Sequence, residues 1–377
     1  MKRINSLEGL RGIAALMVLF NHLGVMFYPA YYWGGAERHC EVIEYYLGET
    51  PLSFLFAGHS AVMIFFVLTG FGSFMVCDKG REQCVKYASL RFFKLAVLLI
   101  LSTMVIWALS QFGLVYYHDI VRYTCSPWIE GWGNTFDHNI LKALLGNWFT
   151  VATAYNPVLW TMPYIFISSV ICVLCYMLYG DLKRGYAVPV CVGTCFVIFG
   201  MKNYVACMIG YLLAYHYKHK SAKQINIPLG VVLLLLAVFL CGYPMKIQSS
   251  WILYRLLPKQ YVVYYHMLGA SLLIYVSLFC RPIQKIMESK PLLVLGKYSM
   301  SIFVAHFAIL MSVSSYLFTR LIDQYPYNTA VAIVWVVTVL ATCIAAVLLK
   351  RVIDRIYGVL DRVYGRWEQA CIQEKNI

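Results

Sequence analysis

Apolar runs of roughly twenty residues recur along the whole chain, separated by short polar or aromatic connections. Each run is long enough to cross a hydrocarbon core of about 30 Å. The pattern predicts ten helices, at about 9–28, 55–76, 91–111, 157–179, 186–200, 202–217, 226–243, 262–280, 292–318 and 327–350. The fifth and sixth are short and parted only by Lys202 and Asn203, which reads as a tight hairpin or a re-entrant pair. Lys2 and Arg3 precede the first run as the n-region of a signal peptide would, but bulky "VMFYPAYYW" follows where a small-residue cleavage site belongs. The first run therefore reads as a retained span. The expected fold is an all-α integral membrane protein of about ten transmembrane helices, with one transmembrane domain over 1–355 and a cytoplasmic tail over 356–377.

Composition agrees. The chain is 61% hydrophobic and only 13% charged, against about half and a quarter in soluble proteins. Placing the N-terminus in the cytoplasm puts 23 of the 31 lysines and arginines on the inner side. Eight remain outside: Arg38, Arg122, Lys142, Lys202, Lys246, Arg255, Lys259 and Arg320. That asymmetry obeys the positive-inside rule, and ten spans return the C-terminus to the cytoplasm. It also accounts for the net charge of +14. No compact basic domain exists that would suggest a nucleic-acid partner. Most of the thirteen cysteines lie inside spans, where cysteine packs as a small hydrophobe. The Cys172–Cys175 pair within the fourth helix reads that way. Cys40 and Cys125 fall in outer connections, where a disulfide is chemically allowed.

The longest non-spanning pieces, 29–54 and 112–156, are rich in aromatic residues: "FYPAYYWGG", "EYYLG", "VYYHDI" and "SPWIEGWGNTF". Two readings are compatible. The aromatics form an interfacial belt, or they form a platform for stacking on sugar rings, with Asp119, Glu130 and Asp137 as hydrogen-bonding partners.

Two ionisable residues stand inside the first apolar run, "GLRGIAALMVLFNHLG". Such groups are costly in lipid, by about 2.5–3.5 kcal/mol for an arginine at a helix centre, and are paired or functional by default. Arg11 and His22 are eleven residues apart, which is about 20° past three helical turns and a rise of about 16 Å. Both face the same way, Arg11 at the inner edge and His22 past the midplane. Arg11 alone is compatible with snorkelling to the headgroups, and His22 alone with a neutral imidazole bonded to a neighbouring helix. The ninth run repeats the arrangement in "LGKYSMSIFVAHFAIL": Ser299 and His306 share a face, with Lys297 at the inner edge. Two histidines, each deeper than a basic residue, suggest a cleft opening to the cytoplasm past Arg11 and Lys297.

"LEGLRGIAALMVLFNH" resembles the N-terminal signature of the acyltransferase type 3 family of multispanning membrane acyltransferases, with its Arg-x10-His spacing. "AGHSAVMIFFVLTGF" is similar to that family's second-helix motif, with Thr69 in the serine position before Gly70. "LGKYSMSIFVAH" resembles its late segment, with Gly296, Ser299 and His306 in place, and "YVACMIGYLLAY" matches a further helix weakly. One departure stands out. The family's Trp-Ser/Thr-Leu-x-x-Glu motif reads "LWTMPYIF", which keeps Trp160 and Thr161 but has Ile165 where the glutamate stands.

The resemblance implies transfer of an acyl group, usually acetyl, from a cytoplasmic coenzyme A thioester to a hydroxyl of an extracytoplasmic or lipid-linked carbohydrate. On that reading Arg11 and Lys297 bind the donor's phosphates. His22 is the general base, and histidine has the near-neutral basicity for that role. His306 is a second acid/base, an acyl relay or an orienting partner. Thr69, Gly70, Trp160, Thr161, Gly296 and Ser299 are supporting motif residues, the small ones allowing close helix approach. The expected partners are the lipid bilayer, acyl-coenzyme A as co-substrate and a carbohydrate or glycolipid acceptor, with no bound cofactor and no metal, in a plasma or inner membrane. His59, His216 and His266 lie near helix ends and read as solvent-facing. The rival class is a transporter or proton-coupled carrier with Arg and His as its relay. A third is a regulatory protein that kept the fold without the chemistry, as the missing glutamate suggests.

Overall fold

The computed structural model describes residues 4–130, 140, 141, 144, 155–179, 185–219 and 224–375, with side chains as far as Trp367. Asp137 and Lys142 lie outside the described residues. Among those described, every regular element is helical. The principal helices are α1 (Asn5–Phe27), α2 (Glu41–Glu49), α3 (Gly58–Cys77), α4 (Arg81–Gln111), α5 (Tyr117–Thr124), α6 (Pro127–Glu130), α7 (Thr161–Tyr179), α8 (Ala187–Ile198), α9 (Lys202–His219), α10 (Ile227–Cys241), α11 (Val262–Phe279), α12 (Lys290–Ile309) and α13 (Tyr327–Lys375). Seven stretches are long and apolar enough to cross a membrane: 5–27, 58–77, 81–111, 157–179, 259–279, 290–321 and 327–367.

The other three expected spans coincide with α8, α9 and α10. The first and last of these have 12 and 15 residues, a rise of about 18 and 22 Å that falls short of a bilayer core. The helix expected from 91 begins at Arg81, and the one expected to stop at 350 continues through Lys375. The segment assigned to a tail over 356–377 is thus largely a prolongation of α13, tied to α4 by Lys94–Asp361 at 2.8 Å.

Local chemistry sets several starts. Asn226 caps α10 by accepting from the Leu229 amide at 3.0 Å, and Asn156 accepts from the Val158 amide at 3.1 Å in the turn leading into α7. Proline follows in the first turn in both places and in α12. Past His306, α12 widens into a π turn at Leu310–Ser314 before continuing as Ser315–Leu321. Ser314 and Ser315 donate there to the Ile309 and Leu310 carbonyls, five residues back.

The centre of the bundle is α1, packed between α3 and α12. Its crossing with α12 brings backbone against backbone. A Cβ on Gly12 would stand 2.6 Å from the Gly296 nitrogen, and one on Gly296 would stand 2.1 Å from the Glu8 carbonyl oxygen. The same device joins α3 to α9, where Gly70 abuts the Cys207 carbonyl and Gly210 the Val67 carbonyl. Small residues are what lets helices approach this closely where lipid supplies no hydrophobic drive.

The start of α1 and the far part of α13 lie at one end of the bundle: Gly9 abuts the Met287 carbonyl just before α12, and Tyr364 lies against Lys86 near the start of α4. Connections 28–57 and 112–130 lie at the other end, where Tyr28 donates to Asn328 at the start of α13 and Ser126 to the Val25 carbonyl.

Candidate active site

α1 and α12 carry His22 and His306 into contact. Nδ1 of His22 is 2.9 Å from Nε2 of His306, and the rings lie nearly parallel with centroids 5.1 Å apart. His306 is fully buried, and its Nδ1 is 3.1 Å from the Ile302 carbonyl one turn back. A carbonyl can only accept, so Nδ1 of His306 carries a proton. In the neutral ring Nε2 is then a lone pair, so Nδ1 of His22 must be the donor. That leaves Nε2 of His22 as the unprotonated nitrogen of the pair. A backbone carbonyl thus fixes both tautomers, and His22, half-buried, presents a base.

Trp128 lies against a face of His22, near-parallel to it, with centroids 5.0 Å apart and an interplanar angle of 11°. Its ring meets Phe307 edge-on. An indole face favours a cation, so it stabilises the imidazolium that would form on proton uptake. Asn156 steadies α12 close by, donating to the Val304 carbonyl at 3.3 Å and to Ser102 Oγ on α4 at 2.7 Å.

Arg11 and Lys297 lie at the terminal end. Arg11 Nη1 is 3.4 Å from Glu8, and its side chain is 39% exposed. Lys297 is exposed, over the Tyr298 ring, and follows Gly296, which rests on the Glu8 carbonyl. The two cations therefore share a level, about 16 Å along α1 from His22. Ser299 is buried within α12. Thr69 and Thr161 hydroxyls donate to the Phe65 and Val158 carbonyls, and Trp160 packs edge-on to Phe66 and Tyr164.

Ile165, at the family's glutamate position, lines an apolar chamber with Val62, Phe65, Phe66, Met300 and Phe303. The Phe303 ring reaches His306 at 6.2 Å. The histidine pair takes its orientation from the Ile302 carbonyl instead of a carboxylate.

Three features were not read from the sequence. Trp128 sits in an aromatic-rich connection that gave no reason to single it out. Tyr31 and Asn21 form a buried bracket: Asn21 donates to Tyr31 Oη at 2.8 Å and to the Phe56 carbonyl at 2.9 Å. Third, His266 does not face solvent: it is 1% exposed, and its Nδ1 is 2.8 Å from that of His59, which is partly exposed. His216 lies edge-on to Phe279. Asp119 and Glu130 are exposed, and Cys40 and Cys125 are free thiols.

A family model described as an acyltransferase domain matches residues 4–350, nearly the whole chain. No curated protein and no solved structure matches it.

Proposed function

The chain belongs to the acyltransferase type 3 family, and from that membership we propose that this membrane acyltransferase moves an acyl group, acetyl in the simplest case, from cytoplasmic acyl-coenzyme A to a hydroxyl of an extracytoplasmic or lipid-linked carbohydrate. The membership decides for an enzyme over a carrier. The observation that carries the mechanism is the His22–His306 contact, with its tautomers set by Ile302.

In this reading the acceptor hydroxyl gives its proton to Nε2 of His22 as its oxygen attacks the thioester carbonyl. The charge on His22 is shared with His306 through the Nδ1–Nε2 hydrogen bond and faces the Trp128 ring. The tetrahedral adduct then expels the coenzyme A thiolate, which takes the proton back from His22, leaving ester and thiol. His306 is a positioning residue that holds the tautomer, much as a buried carboxylate does in hydrolase triads.

Donor and acceptor arrive from opposite ends. The terminal end carries most of the basic residues and is the cytoplasmic face under the positive-inside rule. Arg11 and Lys297 there suit the coenzyme A phosphates, and the extended pantetheine arm covers the distance to His22. The protein resides in the plasma or inner membrane, with ten crossings if α8, α9 and α10 complete the set.

Membranes containing the protein, given acyl-coenzyme A labelled in the acyl group, test the reading. Label is expected in a glycan or glycolipid fraction, with thiol released in equal amount. Substrate-driven proton flux without label transfer to any acceptor would return the protein to the carrier class.

A further inference from the structure

Ile165 stands where the family's motif has a carboxylate, and the chamber it borders is correspondingly apolar. α3 contributes Phe65 and Phe66 to the wall, α7 contributes Met162 and Ile165, and α12 contributes Met300 and Phe303. The one hydroxyl on the wall among the described residues, that of Thr161, donates to the Val158 carbonyl at 3.0 Å. No group is left to hold water or a charge, and a void of that kind stays dry. Its free volume is about 10 Å³, close to the least that holds one water-sized group.

The chamber lies beside the route that the donor must take. Along α12, Met300 and Phe303 are successive steps of three residues between Lys297 and His306, each a rise of about 4.5 Å. The centroid of the Phe303 ring is 6.2 Å from that of His306. Phe65 and Met300 are partly exposed and mark the mouth, whereas Phe66, Met162, Ile165 and Phe303 are buried. Phe65 also packs in the cluster of Ala15 and Ile302. Ala15 lies one turn beyond Arg11, on the face of α1 that Arg11 shares with His22. Ile302 is the residue whose carbonyl accepts from His306. A thioester brought from the Arg11 end to the histidine pair has this opening at its side.

Size then decides what enters. A methyl group is little larger than a water molecule, so the chamber takes it with a small shift of Met300, the flexible member of the mouth. Each further methylene would push buried side chains off their rotamers, and such overpacking is unfavourable. We infer that the chamber receives the methyl end of the acyl group, and that Ile165, with Met162 one turn before it on α7, limits the chain to two carbons. This rests on the acyl-transfer reading, in which acetyl is only the simplest case, and names the residues that select the acyl group.

Ile165→Ala removes three carbons from the wall, and butyryl is two carbons longer than acetyl. Wild-type membranes given acetyl-, propionyl- and butyryl-coenzyme A are expected to favour acetyl over butyryl in kcat/KM by about 10-fold or more. Ile165→Ala should shift that ratio toward butyryl by about 10-fold. Ile165→Val, which removes one carbon, should admit propionyl and still refuse butyryl, and it serves if the alanine variant fails to fold. Butyryl used by wild type as readily as acetyl, or a preference that neither variant changes, overturns the inference and leaves acyl transfer standing.

Binding is read without turnover by titrating S-ethyl- and S-butyl-coenzyme A, thioethers with no acyl carbonyl, into purified protein in a calorimeter. The affinity for S-butyl relative to S-ethyl should rise by about 4–15-fold in Ile165→Ala, as one or two methylenes become buried. An unchanged ratio contradicts the inference. A shifted ratio in a protein that transfers none of the three acyl groups supports the chamber and sinks the transfer reading instead.

Discussion

Nδ1 of His22 and Nε2 of His306 stand 2.9 Å apart although 284 residues separate them in the chain. Because Nδ1 of His306 donates to the Ile302 carbonyl, the pair has one neutral arrangement, with Nε2 of His22 as the remaining acceptor nitrogen. His306→Leu removes the partner of the His22 Nδ1 proton and frees the tautomer. It is expected to lower kcat by roughly 10²–10⁴-fold with little change in donor KM. His306→Gln can still accept that proton through its amide oxygen and should retain clearly more activity. Equal losses in the two variants would show that His306 does more than orient.

Gly70 and Gly72 differ by two positions on α3 and are expected to differ sharply in tolerance. A Cβ at Gly70 would meet the Cys207 carbonyl oxygen at 1.8 Å, whereas one at Gly72 meets nothing within 4 Å. Gly70→Ala must push α9 away and should lower both accumulation and Tm in detergent. Gly72→Ala should be neutral or stabilising, by up to about 1 kcal/mol from helix propensity alone. Thermal unfolding of the two purified variants checks the pair.

Glu44 offers a test through pH. It is 2% exposed, and burial pushes its carboxyl above the ordinary value, although its Oε2 accepts from the His39 and Cys40 amides. A raised carboxyl pKa means the fold holds the proton more tightly than the unfolded chain does. This contribution to stability is present at low pH and is lost as pH rises through the raised value. Glu44→Gln removes the titration and keeps an acceptor. The Tm of Glu44→Gln minus that of wild type should therefore increase as pH climbs from the ordinary carboxyl range and then level off. A difference that shrinks with pH contradicts the sign.

Arg11 is half-committed already, with Glu8 at 3.4 Å. Arg11→Ala is expected to raise the donor KM by about 10-fold, the lower end for a charge-assisted contact at a partly exposed site. Arg11→Lys should recover part of that, since a point charge replaces the planar fork. An unchanged donor KM together with poor accumulation would make Arg11 a folding or orientation residue.

Most of the helices were legible in the sequence because periodicity is a local property. His22 and His306 each declared themselves as ionisable groups inside an apolar run. That they touch depends on α1 crossing α12 at Gly12 and Gly296, which no local pattern states. His59 and His266 failed the same reading for the opposite reason. They stand near the ends of apolar runs, where the sequence alone assigns water, and only the fold shows that His266 is buried and paired with a partly exposed His59. Trp128 was hidden among many tryptophans and tyrosines in connections where an interfacial belt explains any one of them. Length does not fix the count of spans: seven stretches are long and apolar enough to cross, while α8 and α10 are apolar but have 12 and 15 residues.

In the proposed reaction Nε2 of His22 takes the acceptor's proton. The most direct measurement is kcat for acyl transfer in purified, folded His22→Gln, with Tm recorded alongside. Glutamine keeps bulk and hydrogen-bonding ability and lacks basicity. A loss of roughly 10²–10⁴-fold in kcat is expected, at unchanged Tm and donor KM. Full transfer by His22→Gln would contradict it.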